Sequence, residues 1–420
     1  MTEKALKEKS LRTSIKEGAS ASVMLGLGDS YIAPYAIAVG ASAPEIAILA
    51  SIPNLLGGLS QLSTTKLMER RSRKTVTTKA VLAQALMWLP IIGSIFLYSK
   101  ELRFIPLLII LLWTIYLVCG NSGAPAWLSW MGDIVPEDKR GRYFGLRNTI
   151  CNSVLLTATL LGAIFLDYLK KRSLLFLGFG TLSFLAMTFR LISAFLLTKQ
   201  YEPELKVDKN YYFSFLQFVK GMKGNNFGRF AIIVMLIHTS TFIAAPFFAP
   251  YMLRDLKFNY LLFILVATVS NAFVQIVTPP IWGRASDRFG NVMILKISTV
   301  LVSMAPIMWL FSSNPYYLIF LPSIIAGSGW AGFGLTASNF IYDAVGRQRR
   351  GYCFAYYNVL NGIGIFIGAT IGGWITKLPI HFMNIFLFTF LLSGILRFVT
   401  LLGMIPNIKE IRIVQRGAPA

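Results

Sequence analysis

Charged residues are scarce in this chain of 420 residues. They make up 14% of it, whereas a soluble domain carries about 25%. The apolar set reaches 55% and the mean hydropathy is +0.62, so few polar side chains remain to cover a water-facing surface. A soluble enzyme is therefore not expected, and 32 Phe, 17 Tyr and 8 Trp residues exclude a disordered chain. This composition predicts an integral membrane protein.

Cysteine and acidic residues are also few. Cys119, Cys151 and Cys353 lie in or beside apolar segments and indicate no disulfide framework. The chain has 18 acidic residues and 40 Lys and Arg residues, which gives a net charge of +22. In a soluble protein this excess would suggest nucleic acid as a partner. Basic residues also collect in the cytoplasmic loops of membrane proteins, and we favour that interpretation, with no nucleic-acid partner.

Sequence patterns typical of catalysis are missing as well. The chain shows no Cys/His spacing for zinc, no Gly-rich phosphate loop and no Gly-x-Ser-x-Gly elbow. We therefore expect neither an enzyme nor an ATP-driven pump, and no metal or cofactor.

Stretches with almost no charge, long enough to cross a bilayer, recur along the chain. A crossing helix needs about 20 residues, and six such stretches lie within 18–198 and six within 228–405. More polar segments cover 1–17, 199–227 and 406–420. The pattern predicts an all-α membrane protein with twelve transmembrane helices in two six-helix bundles, joined by a central loop and flanked by two tails.

The positions of the basic residues predict the orientation. With the N-terminus inside, the cytoplasmic segments carry 30 of the 40 Lys and Arg residues and the outer loops carry 8. Because Lys and Arg are enriched in cytoplasmic loops, both termini are predicted to be cytoplasmic, in the cell membrane.

An internal repeat relates the two halves. Asp133 and Arg140 follow the fourth predicted span, and Asp343 and Arg350 follow the tenth, at a constant offset of 210 residues at which Val, Gly, Phe and Asn also coincide. Two homologous halves can enclose a cavity that opens to either side of the membrane, and many transporters are built in this way.

The loop after the eighth span carries a family motif. Residues 283–291 read Gly-Arg-Ala-Ser-Asp-Arg-Phe-Gly-Asn. This segment resembles the signature loop of the major facilitator superfamily, Gly-x-x-x-Asp-Arg-x-Gly-Arg, with Asn291 in the last position. Residues 65–73 are a degraded copy, and the two Asp-x6-Arg-Gly segments are similar to other loops of that superfamily.

The resemblance implies a role for these loops as a cytoplasmic gate. Their contacts would link the two halves while the cytoplasmic side is shut, and ordinary loop capping with topology charge is the alternative. The residues to which the resemblance gives this role are Gly283, Asp287, Arg288, Gly290, Asp133, Arg140, Asp343, Arg350 and, from the degraded copy, Glu69 and Arg70.

Asp29 is the sharpest candidate for the transport site. It lies about twelve residues into the first span, near the middle of the membrane, where a charge costs several kcal/mol and needs a cavity or a partner. Because burial favours the neutral form of a carboxyl, we expect a proton-coupling carboxylate or a counter-charge for a cationic solute. The alternative is a structural acid bonded to a neighbouring helix.

The seventh span offers a possible partner. Aligning Pro34 with Pro246 places Thr241 opposite Asp29 and His238 about one turn away. A His–Asp pair could hold a proton, although a lone His in an apolar span is often structural. Other polar and aromatic residues that could line a cavity are Tyr31, Asn121, Trp127, Asn271, Gln275, Asn339, Asn358 and Asn361.

Two further features of the spans have structural interpretations. Arg190 and Arg397 lie near the cytoplasmic ends of peripheral spans, and we expect them to snorkel rather than to bind an anion. Gly364, Gly368 and Gly372 recur every fourth residue and predict a helix face for close packing.

The function predicted from these residues is secondary transport by alternating access. We expect a monomer surrounded by lipid, with protons as the coupling ion, that exports a small organic or amphipathic solute. A sugar or metabolite importer or uniporter of the same superfamily is one alternative. A non-transporting membrane receptor or scaffold is another, although the short tails and central loop offer no room for a signalling domain.

Overall fold

The computed structural model describes residues 3–68, 70–98, 104–136, 140–203, 215–345, 350–404 and 408–411. Within these ranges every regular element is helical. This agrees with the prediction of an all-α membrane protein, because an α-helix satisfies all its backbone hydrogen bonds inside the bilayer.

Eleven helices in the described ranges are long and apolar enough to cross a membrane. They coincide with the second to twelfth predicted spans and run from Ala43–Thr64 to Ile385–Gly403. The first predicted span, 18–44, is not among them. Its helix begins far upstream in a charged segment, at Glu3, and is interrupted at Asp29.

The chain divides into two compact units. Unit 1 comprises Met1–Val207 with Asn259–Ile264, and unit 2 comprises Asp208–Phe258 with Leu265–Ala420. The division at Val207 falls inside the segment predicted as the central loop.

In the described residues, unit 1 comprises nine consecutive α-helices and one later segment. Its helices are α1 (Glu3–Leu27), α2 (Ile32–Ala38), α3 (Ala43–Met68), α4 (Arg73–Leu86), α5 (Trp88–Tyr98), α6 (Ile105–Ser122), α7 (Ala124–Ile134), α8 (Arg140–Lys171) and α9 (Leu175–Thr198). Helix α1 packs against α8 and α9, α3 packs against α6, and α4 packs against α9.

The later segment of unit 1 is tied to α8 by a carboxylate. Asp167 accepts hydrogen bonds from the amides of Tyr260 and Leu261, both at 2.8 Å. These amides lie in the first turn of a short helix, and an anionic side chain is favourable there. This contact explains why 259–264 cluster with unit 1.

Unit 2 contains the remaining helices of the described residues except α13 (Tyr260–Ile264). In chain order the helices after α9 are α10 (Phe215–Gly221), α11 (Asn226–Phe242), α12 (Phe248–Pro250), α13 (Tyr260–Ile264, in unit 1), α14 (Ser270–Val277), α15 (Pro279–Phe289), α16 (Asn291–Met308), α17 (Pro315–Ala344), α18 (Arg350–Ile375) and α19 (Ile385–Met404). Helix α16 packs against α17 and α19, and α11 packs against α18.

The glycine face of α18 closes against α11, as predicted. A Cβ atom at Gly364, Gly368 or Gly372 would collide with a backbone carbonyl of α11 or of the residue that follows it. Glycine is therefore required for the observed separation of the two helices.

Candidate functional site

Asp29 lies at a break in the first transmembrane segment. Helix α1 ends at Leu27, a 3-10 turn covers Asp29–Tyr31, and α2 begins at Ile32. The break precedes Pro34, which lacks the backbone N–H that a continuous helix would need there. In unit 2 the segment after α11 also passes through a 3-10 turn, Ala245–Phe247, which contains Pro246. The sequence similarity between the two spans thus corresponds to a shared interruption of the helix.

The carboxylate of Asp29 is held by a buried tyrosine of α6. The Tyr116 hydroxyl donates to Asp29 Oδ1 at 2.6 Å, and Tyr116 is fully buried. Trp113 stacks on the Tyr116 ring at 4.4 Å, and Trp88 meets that ring edge-on at 5.2 Å. We name Asp29, Tyr116, Trp113 and Trp88 the Asp29 site. Asp29 is half-buried.

Arg190 of α9 supplies a positive charge to the surroundings of this site. It interacts electrostatically with Asp29, and its Nε donates to Gln84 Oε1 at 2.8 Å. Arg397 of unit 2 is only 3% exposed and donates to Val302 O and Ser393 Oγ. The expectation that both arginines snorkel is therefore wrong, because their guanidinium groups are bonded inside the helix bundles.

A second cluster of polar and charged side chains surrounds Glu17, nearer the N-terminus of α1. Glu17 Oε2 lies 3.2 Å from Arg147 Nη2, and Glu17 Oε1 accepts a hydrogen bond from Ser193 Oγ at 2.9 Å. The Arg147 guanidinium stacks over the ring of Trp127 at 4.7 Å. This contact places Trp127 in an ion cluster.

His238 is packed among aromatic rings of unit 2. Trp330 stacks on it at 5.8 Å and Phe333 meets it edge-on at 6.3 Å. Its Nδ1 has no hydrogen-bond partner in the described part of the chain, and neither does Oδ1 of Asn361. Thr241 is buried and donates to Ile237 O of its own helix. His238 and Asn361 thus each keep an unpaired polar atom within the described part of the chain, whereas the Thr241 hydroxyl donates to its own helix.

Other predicted polar residues contact neighbouring helices or their own helix. Tyr31 donates to Thr159 O, and Asn121 packs against Gly57. Gln275 donates to Asn271 on the same helix at 2.9 Å. The remaining candidate on α18, Asn358, is half-buried.

The last motif position in each half contacts the aspartate that ends the fourth or tenth span. In unit 2, Asn291 donates to Asp343 at 2.9 Å and accepts from Ser286 and Asn339. In unit 1, the equivalent residue Arg73 bonds Asp133 at 2.5 Å. These contacts join each motif loop to a helix of its own unit.

The backbone conformation at Gly290 explains why the motif has glycine at this position. Gly290 has φ +89° and ψ 159°, between α15 and α16, in a region essentially restricted to glycine. In unit 1 the corresponding Ser72 has φ −63°, and its side chain accepts from the Thr75 amide as the N-cap of α4. The degraded copy thus replaces a glycine turn with a capping serine.

The other predicted gate residues lie at helix ends. Asp287 and Arg288 are exposed in the last turn of α15, where Arg288 stacks over Phe289, and Gly283 lies within that helix. Arg70 is exposed before α4. Arg140 and Arg350 begin α8 and α18, but their side chains and all of Glu69 lie outside the described residues.

An apolar cavity of about 530 Å³ opens between α1, α8 and α9 in unit 1. Leu27 and Leu182 line it, and they also line a small cleft formed with Gly28 and Trp88. The cavity therefore reaches the neighbours of the Asp29 site.

The sequence matches the family described as Major Facilitator Superfamily over residues 19–220 and 230–416. It is 26% identical over 148 residues to the tetracycline resistance protein, class H, of Pasteurella multocida, which is 35% of this chain and 36% of that protein. It is 28% identical over 131 residues to the class B protein of Escherichia coli, 31% of either chain. The matches thus span about a third of the length of these relatives.

Solved structures share the fold. A mutant form of the nucleoside transporter NupG superposes with a TM-score of 0.75 at 14% identity, over 94% of this chain and 100% of that one. A bacterial homologue of the iron transporter ferroportin, in an outward-facing state, gives a TM-score of 0.62 at 13% identity, over 96% and 98%.

Proposed function

Because the chain belongs to the Major Facilitator Superfamily, we propose that it is a secondary transporter that works by alternating access and exports a small organic or amphipathic solute in exchange for protons. The family, together with the eleven membrane-length helices found among the described residues, makes it a multi-pass membrane transporter of small molecules. The proton coupling, the direction and the class of solute are our proposal.

The bond between Asp29 and Tyr116 carries the proposal. An ionised Asp29 accepts the Tyr116 hydroxyl hydrogen and is attracted to Arg190. A protonated Asp29 still offers an acceptor oxygen to Tyr116, so the site accommodates both states of the carboxyl. Such a group can release its proton when a solute binds and recover it afterwards.

The surroundings of Asp29 favour a solute with an apolar body. Trp88 and Trp113 surround the acid with aromatic rings, and the 530 Å³ cavity adds apolar surface that includes Leu27. A cationic group on the solute would be attracted both to these rings and to the carboxylate. Competition between proton and solute for one carboxylate produces antiport.

The relatives support export. A membrane transporter confers resistance to a drug by lowering its concentration inside the cell, and two of the relatives are named for tetracycline resistance. An inward proton gradient would drive this export through the exchange at Asp29. We place the protein in the cell membrane as a monomer. We orient both termini toward the cytoplasm, since 30 of 40 Lys and Arg residues lie in the predicted cytoplasmic segments.

The cytoplasmic gate remains part of the proposal. The bonds of Arg73 to Asp133 and of Asn291 to Asp343 hold the two motif loops in place within their own units. We propose that these anchors position Asp287, Arg288 and the basic residues that begin α8 and α18, which would form and break the contacts of the gate.

Proteoliposomes that enclose a pH dye test the proposal. Wild type, Asp29→Asn and the control Glu8→Gln, an exposed acid on the same helix, would be challenged with tetracycline, tetraphenylphosphonium, sugars, nucleosides and amino acids. We expect proton movement with tetracycline or the lipophilic cation in wild type and Glu8→Gln, and none in Asp29→Asn.

Other results would overturn the proposal in distinct ways. Proton movement retained in Asp29→Asn would remove Asp29 from the coupling step. Accumulation of a sugar or a nucleoside would favour an importer. No movement of any solute, together with co-purification of a partner protein, would favour the receptor or scaffold.

A further inference from the structure

Glu17 is a buried acid in a segment that its polar sequence marked as a tail. Its side chain is held at both oxygens, by Ser193 at 2.9 Å and by Arg147 at 3.2 Å, and the residue is only 5% exposed. A carboxylate bound by a guanidinium and a hydroxyl is stabilised as the anion. Glu17 is therefore a buried acid paired with a guanidinium inside unit 1.

Ser193 connects this charge to Arg190. The Ser193 hydroxyl, which donates to Glu17, also lies 3.4 Å from Arg190 Nη1. Arg190 in turn interacts with Asp29. The side chains of Arg147, Glu17, Ser193 and Arg190 therefore form a connected path that ends at a guanidinium with an electrostatic influence on Asp29.

The charges on this path balance only while both acids are ionised. Arg147 and Arg190 contribute two positive charges, and Glu17 and Asp29 two negative ones. When Asp29 takes up a proton, Glu17 alone faces two guanidinium groups. An uncompensated guanidinium in a bilayer is costly, so Glu17 determines how easily Asp29 can become neutral.

We propose that Glu17 is a positioning residue of the coupling site: through Ser193 it compensates the charge of Arg190 while Asp29 is protonated. This inference rests on the proposed role of Asp29. The other titratable groups near Glu17 among the described residues are Tyr143 and Cys151 of α8, so neither of these neighbours is a second carboxyl.

The test uses infrared spectroscopy of the purified full chain in detergent, without any solute. The band of protonated carboxyl groups is titrated with pH, and the part lost in Asp29→Asn is assigned to Asp29. Glu17→Gln keeps the size of the side chain but removes its charge, and Glu8→Gln is the control.

We expect Glu17→Gln to move the midpoint of the Asp29 band down by about one pH unit, because Asp29 becomes the only acid that compensates Arg190. Glu17→Asp restores the charge and should return the midpoint toward wild type, which a purely structural role would not require. If Glu17→Gln fails to fold, Ser193→Ala cuts the same path and should shift the midpoint in the same direction.

Each remaining outcome has one meaning. A midpoint that is unchanged in Glu17→Gln, or in Ser193→Ala where that variant is used, overturns the role of Glu17. The proposed function is unaffected by that result, because Asp29 still titrates. A spectrum without any band that Asp29→Asn removes overturns both.

Discussion

The phenol hydroxyl of Tyr116 donates a 2.6 Å hydrogen bond to a carboxylate oxygen of Asp29, across 87 residues of sequence. Trp113 and Trp88 fix the tyrosine ring from its face and its edge. The hydroxyl is therefore preorganised toward the acid, and the stability of the ionised carboxylate depends on a residue in another helix.

Removing this hydroxyl should make Asp29 easier to protonate. A hydrogen bond to a charged group contributes about 1.5–3 kcal/mol, and about 1.4 kcal/mol corresponds to one pH unit. In Tyr116→Phe we expect the midpoint of the Asp29 carboxyl band to rise by about one to two pH units, measured by infrared titration.

Tyr31→Phe is the matched control for this substitution. The Tyr31 hydroxyl donates to a backbone carbonyl, that of Thr159, so its loss should leave the midpoint unchanged. Equal shifts in both variants would show that the midpoint responds to the loss of either hydroxyl, and that the bond between Tyr116 and Asp29 has no specific effect on it.

Substitution of the two motif glycines by alanine should change the stability of the protein in opposite directions. Gly290 has φ +89°, where a side chain costs about 1–3 kcal/mol, so Gly290→Ala should lower the apparent melting temperature. Gly283 lies inside α15, where a Cβ would meet nothing within 4 Å. Gly283→Ala should stabilise the protein by about 0.5–1 kcal/mol. Destabilisation by both variants would contradict this explanation of the motif.

Arg73 should matter far more to stability than its neighbour Arg70. It is 1% exposed and donates to Asp133, Ser129 and Pro203. Arg73→Ala loses several charge-assisted bonds, so we expect a loss of about 2–4 kcal/mol.

Thermal unfolding of Arg73→Ala beside Arg70→Ala measures this difference. Arg70 is exposed, and surface substitutions usually stay within about 0.5 kcal/mol. If the two variants unfold at the same temperature, the Arg73 network contributes nothing to stability.

The fold was largely predictable from the sequence because the bilayer imposes a simple rule. Stretches of membrane length with almost no charge had to become helices, and in the described residues eleven of the twelve predicted spans coincide with a helix of that length. The first span departs from that rule, since α1 begins at Glu3 and carries charged residues along its first half. Glu17 is buried although its surroundings in sequence are polar, because α8 and α9 provide its partners.

Of the candidate site, only Asp29 was predictable from the sequence. A single acid within an apolar span marks Asp29 without any structure. Its partners Tyr116 and Arg190 lie on α6 and α9, and nothing in one sequence pairs residues so far apart. Arg73 was hidden for a different reason, since it looked like one more basic loop residue in a degraded motif.

The close contact between α18 and α11 can be tested by adding a single Cβ atom to a glycine of α18. At Gly368 an added Cβ would collide with the backbone carbonyl of Thr239, which cannot move without displacing α11. Overpacking of this kind costs about 1–3 kcal/mol, so Gly368→Ala should lower the apparent melting temperature. Gly334→Ala is the control, because this exposed glycine of α17 has no atom within 4 Å of an added Cβ, and alanine there should be neutral or stabilising. If Gly368→Ala is as stable as Gly334→Ala, the two helices are not held at the separation described here.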